Sequence, residues 1–422
     1  MRVLVTVIAV KTHLYNVVPV AWALQAAGHE VRVASQPDLT DAITAAGLTA
    51  VPVGDELSMG KSSDGPTSQT FRAHGGGMSA DPATLDWEAV LGAFTVACPV
   101  EYEFFAAQSM VDDLVEFARG WEPDLVIWDA LTFAGPIAAR ACGAAHARML
   151  FGIDYVSRMY ARYVELLAEQ PPDQRDDPVS DWLAGRLARH GCAFDPDDAL
   201  ELMTGQWCID PTPAWMRVPL DLPYLPVRIV PFNGPTTVPD WVYEPPERPR
   251  VCLSLGMSGR DLFGGDQVSV SALLESLAEL DIELIATLNA EQLTSVSALP
   301  DNVRTVDFVP LNELAPTCTA IIHHGGFGTL GNILTHGIPS LTIPAPWWDE
   351  KDLGTHLHTR GAGIHLDPTN TTPTTLKNAL HQLLTNPTYH HNATTIQQEI
   401  HTTPTPNHLT TTLEQLVATR AP

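Results

Sequence analysis

Twice along this chain of 422 residues, short β-branched runs alternate with stretches of helical periodicity, and that alternation constrains the fold more than any other feature. In the first half, residues 2–9, 31–35, 48–53, 124–128 and 147–151 read as strands, with helices expected over 17–27, closed by Gly28, and over 133–141. In the second half, residues 251–255, 283–287, 304–308, 320–323 and 340–343 read the same way. Strands joined by helical crossovers run parallel, and near-continuous apolar strands suit a sheet covered on both faces. The expected fold class is α/β, with two doubly wound, Rossmann-like domains. Length agrees, because a single hydrophobic core stops growing near ~250–300 residues.

The first domain is expected over 1–220. Residues 221–249 hold a dense set of prolines, ending in Glu244-Pro245-Pro246-Glu247-Arg248-Pro249, which suits a semi-rigid linker. The second domain is expected over 250–404. Beyond residue 366 the chain turns rich in Thr, Asn and His, yet Leu376, Leu380, Leu383 and Leu384 keep helical spacing, as do Leu409, Leu413 and Leu416. Residues 405–422 therefore read as a closing helix, which could pack back on the first domain. Residues 56–84, including Gly75-Gly76-Gly77, lack periodicity, and a loop that long reads as mobile or functional, suited to covering a substrate.

Charge and composition exclude several classes. Asp and Glu outnumber Lys and Arg by 49 to 23, a formal charge of −26, which argues against a nucleic-acid or anionic-membrane surface. A mean hydropathy of +0.02, with no apolar run near the ~18 residues a membrane helix needs, points to a soluble globular protein. Residues 1–10 are apolar but are interrupted by Lys11, Thr12 and His13, so they read as a first strand rather than a signal peptide. Six cysteines (Cys98, Cys142, Cys192, Cys208, Cys252, Cys318) form no CxxC pair, which suits free thiols in a reducing cytoplasm. No zinc spacing is present around His356, His358 and His365, and the acidic clusters at 112–113, 173–177 and 195–198 read as solvated.

Chemistry concentrates at the carboxyl ends of the expected strands, where open α/β sheets bind ligands. His323-His324-Gly325-Gly326-Phe327-Gly328-Thr329 follows a strand and opens a helix. The free N–H groups of a helix's first turn, with about half a positive charge from the macrodipole, favour an anion, and glycines let backbone approach a phosphate. The plainer alternative is that the glycines close a tight βα turn and the histidines cap it. His13 lies just after the first strand in Val10-Lys11-Thr12-His13-Leu14, a turn with no glycine and hence no dinucleotide cradle; an imidazole there suits a general base, or a local backbone contact. Asp129 ends a strand and could orient that imidazole, or cap the next helix. Asp349 and Glu350 could accept hydrogen bonds from sugar hydroxyls, or stand solvated at a helix start. Ser258, in Leu255-Gly256-Met257-Ser258-Gly259, offers a hydroxyl to a phosphate, or forms a plain turn.

With Lys11-Thr12-His13-Leu14 followed by Val18-Pro19-Val20-Ala21-Trp22-Ala23-Leu24, then Ala26-Ala27-Gly28-His29-Glu30-Val31-Arg32-Val33-Ala34, Trp121-Glu122-Pro123-Asp124-Leu125 and Thr132-Phe133-Ala134-Gly135, the chain resembles the GT-B fold antibiotic glycosyltransferases. The likeness is to those that attach deoxysugars and aminodeoxysugars to macrolide and anthracycline aglycones, and it runs over nearly the whole chain. It implies two domains facing across a cleft, the first binding acceptor and the second the nucleotide sugar. It implies inverting, metal-independent transfer of a deoxysugar from a dTDP-sugar to a hydroxyl of a polyketide aglycone, in the cytoplasm and without a cofactor. The alternatives on the same fold are a non-catalytic scaffold and a sugar-nucleotide epimerase.

By the resemblance, His13 is the base on the acceptor hydroxyl, with Asp129 its partner. His324 contacts the diphosphate with Gly326 and the backbone of Gly328 and Thr329, and Ser258 joins them. Phe308 and Val309 flank the nucleobase, and Asp349 with Glu350 binds the donor sugar. Asn332 stands where ribonucleotide-using relatives carry an acidic ribose ligand, which suits a deoxyribose. Leu353 departs from the Asn, Gln or Arg common four residues beyond the sugar-binding aspartate. The partners implied are the aglycone, the dTDP-sugar and, in the aminosugar branch, a cytochrome-like auxiliary protein; the oligomeric state is left open, with a homodimer one of its options.

Overall fold

The structure is a computed structural model, and it describes residues 1–57, 77–256, 268–294, 296 and 298–420. Ser258 and most of the 56–84 loop lie outside the described residues. The chain divides into two compact units, Met1–Arg228 with Pro404–Pro422, and Ile229–Thr403.

The first unit holds a seven-stranded sheet in the order β3-β2-β1-β4-β5-β6-β7. Its strands are β1 (Arg2–Thr6), β2 (Glu30–Ser35), β3 (Thr49–Pro52), β4 (Leu125–Asp129), β5 (Ala145–Met149), β6 (Trp207–Asp210) and β7 (Tyr224–Pro226), all paired in parallel. The central strands are covered on both faces, as Val3, Leu4 and Val5 on β1 and every residue of β4 are buried. Strand order reverses between β1 and β4, so their carboxyl ends form the switch point at which doubly wound sheets bind ligands.

The second unit repeats the plan with six parallel strands in the order β10-β9-β8-β11-β12-β13. These are β8 (Arg250–Ser254), β9 (Glu283–Thr287), β10 (Val303–Val306), β11 (Ala320–His323), β12 (Ser340–Thr342) and β13 (Gly363–His365). One face packs Leu253, Leu284, Ile322 and Leu341 against Leu273, Leu277, Leu376 and Leu380; the other packs Cys252, Ile285 and Ile321 against Leu314 and Ile333. Here the switch point lies between β8 and β11.

Three expectations change. The first helix spans Lys11–Ala26, so His13 sits inside its first turn rather than in a preceding loop. The buried stripe Leu14, Val17, Val18, Ala21, Leu24 already begins at Leu14, and the helix extends one turn ahead of its apolar run. The strand expected over 147–151 is Ala145–Met149, two residues earlier, so Leu150 and Phe151 fall in the turn that follows it. The proline-rich stretch carries structure: β7 joins the first sheet within it, and Val242, in the turn Asp240–Tyr243, is fully buried with its carbonyl accepting from the Arg250 guanidinium at 3.1 Å.

The last helix, Pro406–Arg420, packs on the helix Lys11–Ala26 in the first unit, with Leu409 and Leu413 buried. His29 Nε2 meets Glu414 at 2.9 Å and its Nδ1 meets the Met1 amino group at 3.1 Å. All six cysteines are free. Among the described residues no single helix is long and apolar enough to cross a membrane.

Candidate active site

At the first switch point, the helix that follows β1 carries His13 in its first turn and the last residue of β4 is Asp129. His13 Nδ1 lies 2.7 Å from Asp129 Oδ2, with the carboxylate fully buried and the imidazole 13% exposed. Asp129 Oδ1 accepts the backbone N–H of Leu131 at 3.1 Å, so the carboxylate is fixed by its own turn while its other oxygen faces the ring. An ionised carboxylate can only accept; the imidazole therefore gives it the Nδ1 proton and keeps a lone pair on Nε2. That is the tautomer a general base needs.

Two residues that sequence reasoning passed over complete the setting. Phe151, read there as part of a strand, follows β5 and packs its ring against the imidazole, centroids 4.5 Å apart. Asn16, three residues after His13 on the same helix, donates to the Leu150 carbonyl at 2.8 Å and so ties the Phe151 turn to the helix that carries His13. An Asn one helical turn beyond a candidate base was the available signal.

At the second switch point, β11 ends in His323 and the helix Phe327–His336 begins. Gly326 is its N-cap, and the first i→i−4 bond runs from Leu330 N–H to the Gly326 carbonyl at 3.0 Å. The N–H groups of Phe327, Gly328 and Thr329 precede that bond, as an anion site requires. Gly328 is exposed, and a Cβ there would meet nothing within 4 Å. His324 is held between two glycines: a Cβ would fall 2.3 Å from its Cε1 at Gly256 and 2.4 Å from its Nε2 at Gly326. Gly256, on the loop after β8, was not singled out from the sequence, because its partner is remote in the chain.

The doublet His323-His324 divides its labour. His323 is buried, accepts Gly325 N–H on Nδ1 at 3.1 Å, and meets Thr342 Oγ1 through Nε2 at 3.1 Å. Burial, aided by neighbouring His324, pushes its pKa down to about 3, so the ring is neutral. The cap expected of the histidines thus belongs to His323, and His324 is the one beside the glycine backbone.

The remaining candidates separate by burial. Asp349, 4% exposed, is the N-cap of the helix Glu350–Thr359. Glu350, 8% exposed, accepts Trp348 N–H at 2.7 Å, and burial pushes its carboxyl up to about 7, so it is not the solvated acid the plainer reading expected. Phe308 is exposed on the loop after β10, whereas the Val309 side chain packs in the core beside Leu314, so only its backbone could face a base. Asn332 is buried and donates to the Gly328 carbonyl at 2.9 Å; Leu353 is fully buried core. Among the described residues no group of three or more His, Cys, Asp or Glu is arranged to hold a metal ion.

Residues 22–256 match the N-terminal domain, and 271–416 the C-terminal domain, of the erythromycin biosynthesis protein CIII-like family. Aclacinomycin-T 2-deoxy-L-fucose transferase of Streptomyces galilaeus is 46% identical over 411 residues, covering 95% of this chain and 92% of its own. The 10-deoxymethynolide desosaminyltransferase of Streptomyces venezuelae is 45% identical over 401 residues, covering 94% and 93%. The crystal structure of the glycosyltransferase VinC in complex with dTDP superposes with a TM-score of 0.89 at 42% identity, covering 100% of both chains. The chain therefore belongs to the erythromycin biosynthesis protein CIII-like family and is a glycosyltransferase of the GT-B fold.

Proposed function

We propose that this enzyme moves a deoxysugar from a dTDP-sugar to a hydroxyl of a polyketide aglycone, with inversion and without a metal. His13 Nε2 takes the proton of the acceptor hydroxyl. The oxygen attacks the anomeric carbon from the face opposite the nucleotide, forming the glycosidic bond as the bond to the diphosphate breaks, and dTDP leaves with the electron pair. Asp129 holds the tautomer and stabilises the imidazolium that forms, while the first-turn N–H groups of 327–329 and His324 receive the diphosphate charge. Those dipoles and donors do the work a metal would otherwise do, so activity is expected to survive EDTA. In this reading Asp349 and Glu350 bind the sugar and Phe308 the nucleobase.

The observation that carries the reading is the 2.7 Å His13–Asp129 pair, whose ring lone pair is left for a proton. The sugar and acceptor classes rest on relatives named for 2-deoxy-L-fucose and desosamine transfer, and on a close structural neighbour solved with dTDP. The test is steady-state turnover of purified protein, followed by mass spectrometry of the glycoside. His13→Ala should lower kcat by about 10²–10⁴ with donor affinity unchanged. Asp129→Asn, which favours the wrong tautomer, should lower it by about 10² or more. Unchanged turnover in His13→Ala, or release of a modified sugar nucleotide without any acceptor, would sink the reading. Running the assay with and without a cytochrome-like auxiliary protein tests the partner implied by the resemblance.

A further inference from the structure

Of the two adjacent histidines, His323 is the one the proposed reaction does not use, yet both of its ring nitrogens are hydrogen-bonded. It ends β11, opposite Thr342 in the parallel register with β12. Its Nδ1 accepts the Gly325 N–H at 3.1 Å, so the proton of the neutral ring is on Nε2, where it is donated to Thr342 Oγ1, also at 3.1 Å. Both rungs are buried: His323 and Thr342 are each 1% exposed. Gly325, held by the first rung, has φ +99°, a conformation open to glycine, and a Cβ there would fall 2.7 Å from Glu350 Cβ. The turn that aims the N–H groups of 327–329 is thus pinned from the sheet side by an imidazole strut and flanked by Glu350.

We propose that His323 is a positioning residue for diphosphate binding, acting as a neutral strut from Thr342 to the Gly325 N–H that sets the glycine turn and, through it, His324 and the first-turn N–H groups. The inference deepens the proposed function and rests on its placement of the diphosphate. A ring whose only task is to fill the core would affect every ligand alike, or none. A ring that sets the phosphate cradle affects ligands in proportion to their phosphates.

Calorimetric titration of the full chain with dTDP and with thymidine separates these outcomes. His323→Leu, which removes both rungs, should weaken dTDP about tenfold while thymidine changes by less than about twofold. His323→Asn keeps an acceptor near Nδ1 and should restore most of the dTDP affinity; Thr342→Val should fall between. Equal losses for the two ligands, or none, overturn the inference and leave the diphosphate site standing. A wild-type chain that binds dTDP no better than thymidine overturns the diphosphate site and the inference with it. Should His323→Leu fail to fold, nitrogen NMR of the wild-type ring decides: an Nε2–H tautomer, unprotonated at about pH 6 with and without dTDP, is expected, and an Nδ1–H or charged ring overturns the strut.

Discussion

Gly326 illustrates how much of the site is decided by single atoms. It is the N-cap of the helix Phe327–His336, and the absence of its Cβ is what lets the His324 ring lie against the backbone. A Cβ 2.4 Å from Nε2 forces the ring to turn. Gly326→Ala should weaken dTDP by about tenfold or more with little change in Tm, because the residue's φ of −60° is open to any side chain; calorimetry and a melting curve check both halves. Two buried ionisable groups write a pH dependence with opposite signs. His323 takes its proton near 3 when folded and near ~6.5 when unfolded, so stability falls as pH drops through that window. Glu350 ionises near 7 when folded and near ~4.5 when unfolded, so stability falls as pH rises through that window. Melting curves from pH 4 to 8 should show the acid-side loss shrinking in His323→Asn and the neutral-side loss shrinking in Glu350→Gln.

At the scale of elements, β5 carries a charge into the core of the first sheet. Arg148 is fully buried on β5 and pairs with Asp154, which is also the N-cap of the helix Tyr155–Glu169, accepting Ser157 N–H at 3.1 Å. Tyr224 on β7 donates to the same carboxylate at 3.2 Å, so one buried ion pair joins strand, helix and edge strand on either side of the turn that bears Phe151. Removing one partner leaves a buried charge without compensation. Arg148→Met should cost about 3–5 kcal/mol in urea unfolding, and the added change Asp154→Asn should recover part of it. Elements with regular patterns were legible: β9 and β11 have the bounds their β-branched runs suggest. Strands β6, β7 and β13, of three or four residues with Trp, Pro or Gly inside them, carry too little pattern to be read and exist because a neighbouring strand offers its edge.

At the scale of the molecule, ligand binding and stability are linked unit by unit. Because the glycine turn proposed to bind the diphosphate lies within Ile229–Thr403, dTDP should slow amide exchange over the helix Phe327–His336 while leaving β1–β3 of the other unit unchanged; protection confined to the first unit would contradict the assignment of the nucleotide half. The sequence by itself determined the two α/β series, the position of Asp129 at a strand end, and the glycine turn, because periodicity, β-branching and turn chemistry are local properties that each segment carries with it. Only the tertiary structure decided that His13 and Asp129, 116 residues apart, meet at 2.7 Å, and that Phe151 walls the imidazole. It likewise decided that Gly256 makes room for His324, that a stretch of prolines supplies an edge strand, and that of two adjacent histidines one is buried with both ring nitrogens bonded while the other lies against glycine backbone. The physical reason is the same in each case: a side chain's protonation, tautomer and reach are set by whatever the fold brings within a few ångströms, and those neighbours come from distant parts of the chain.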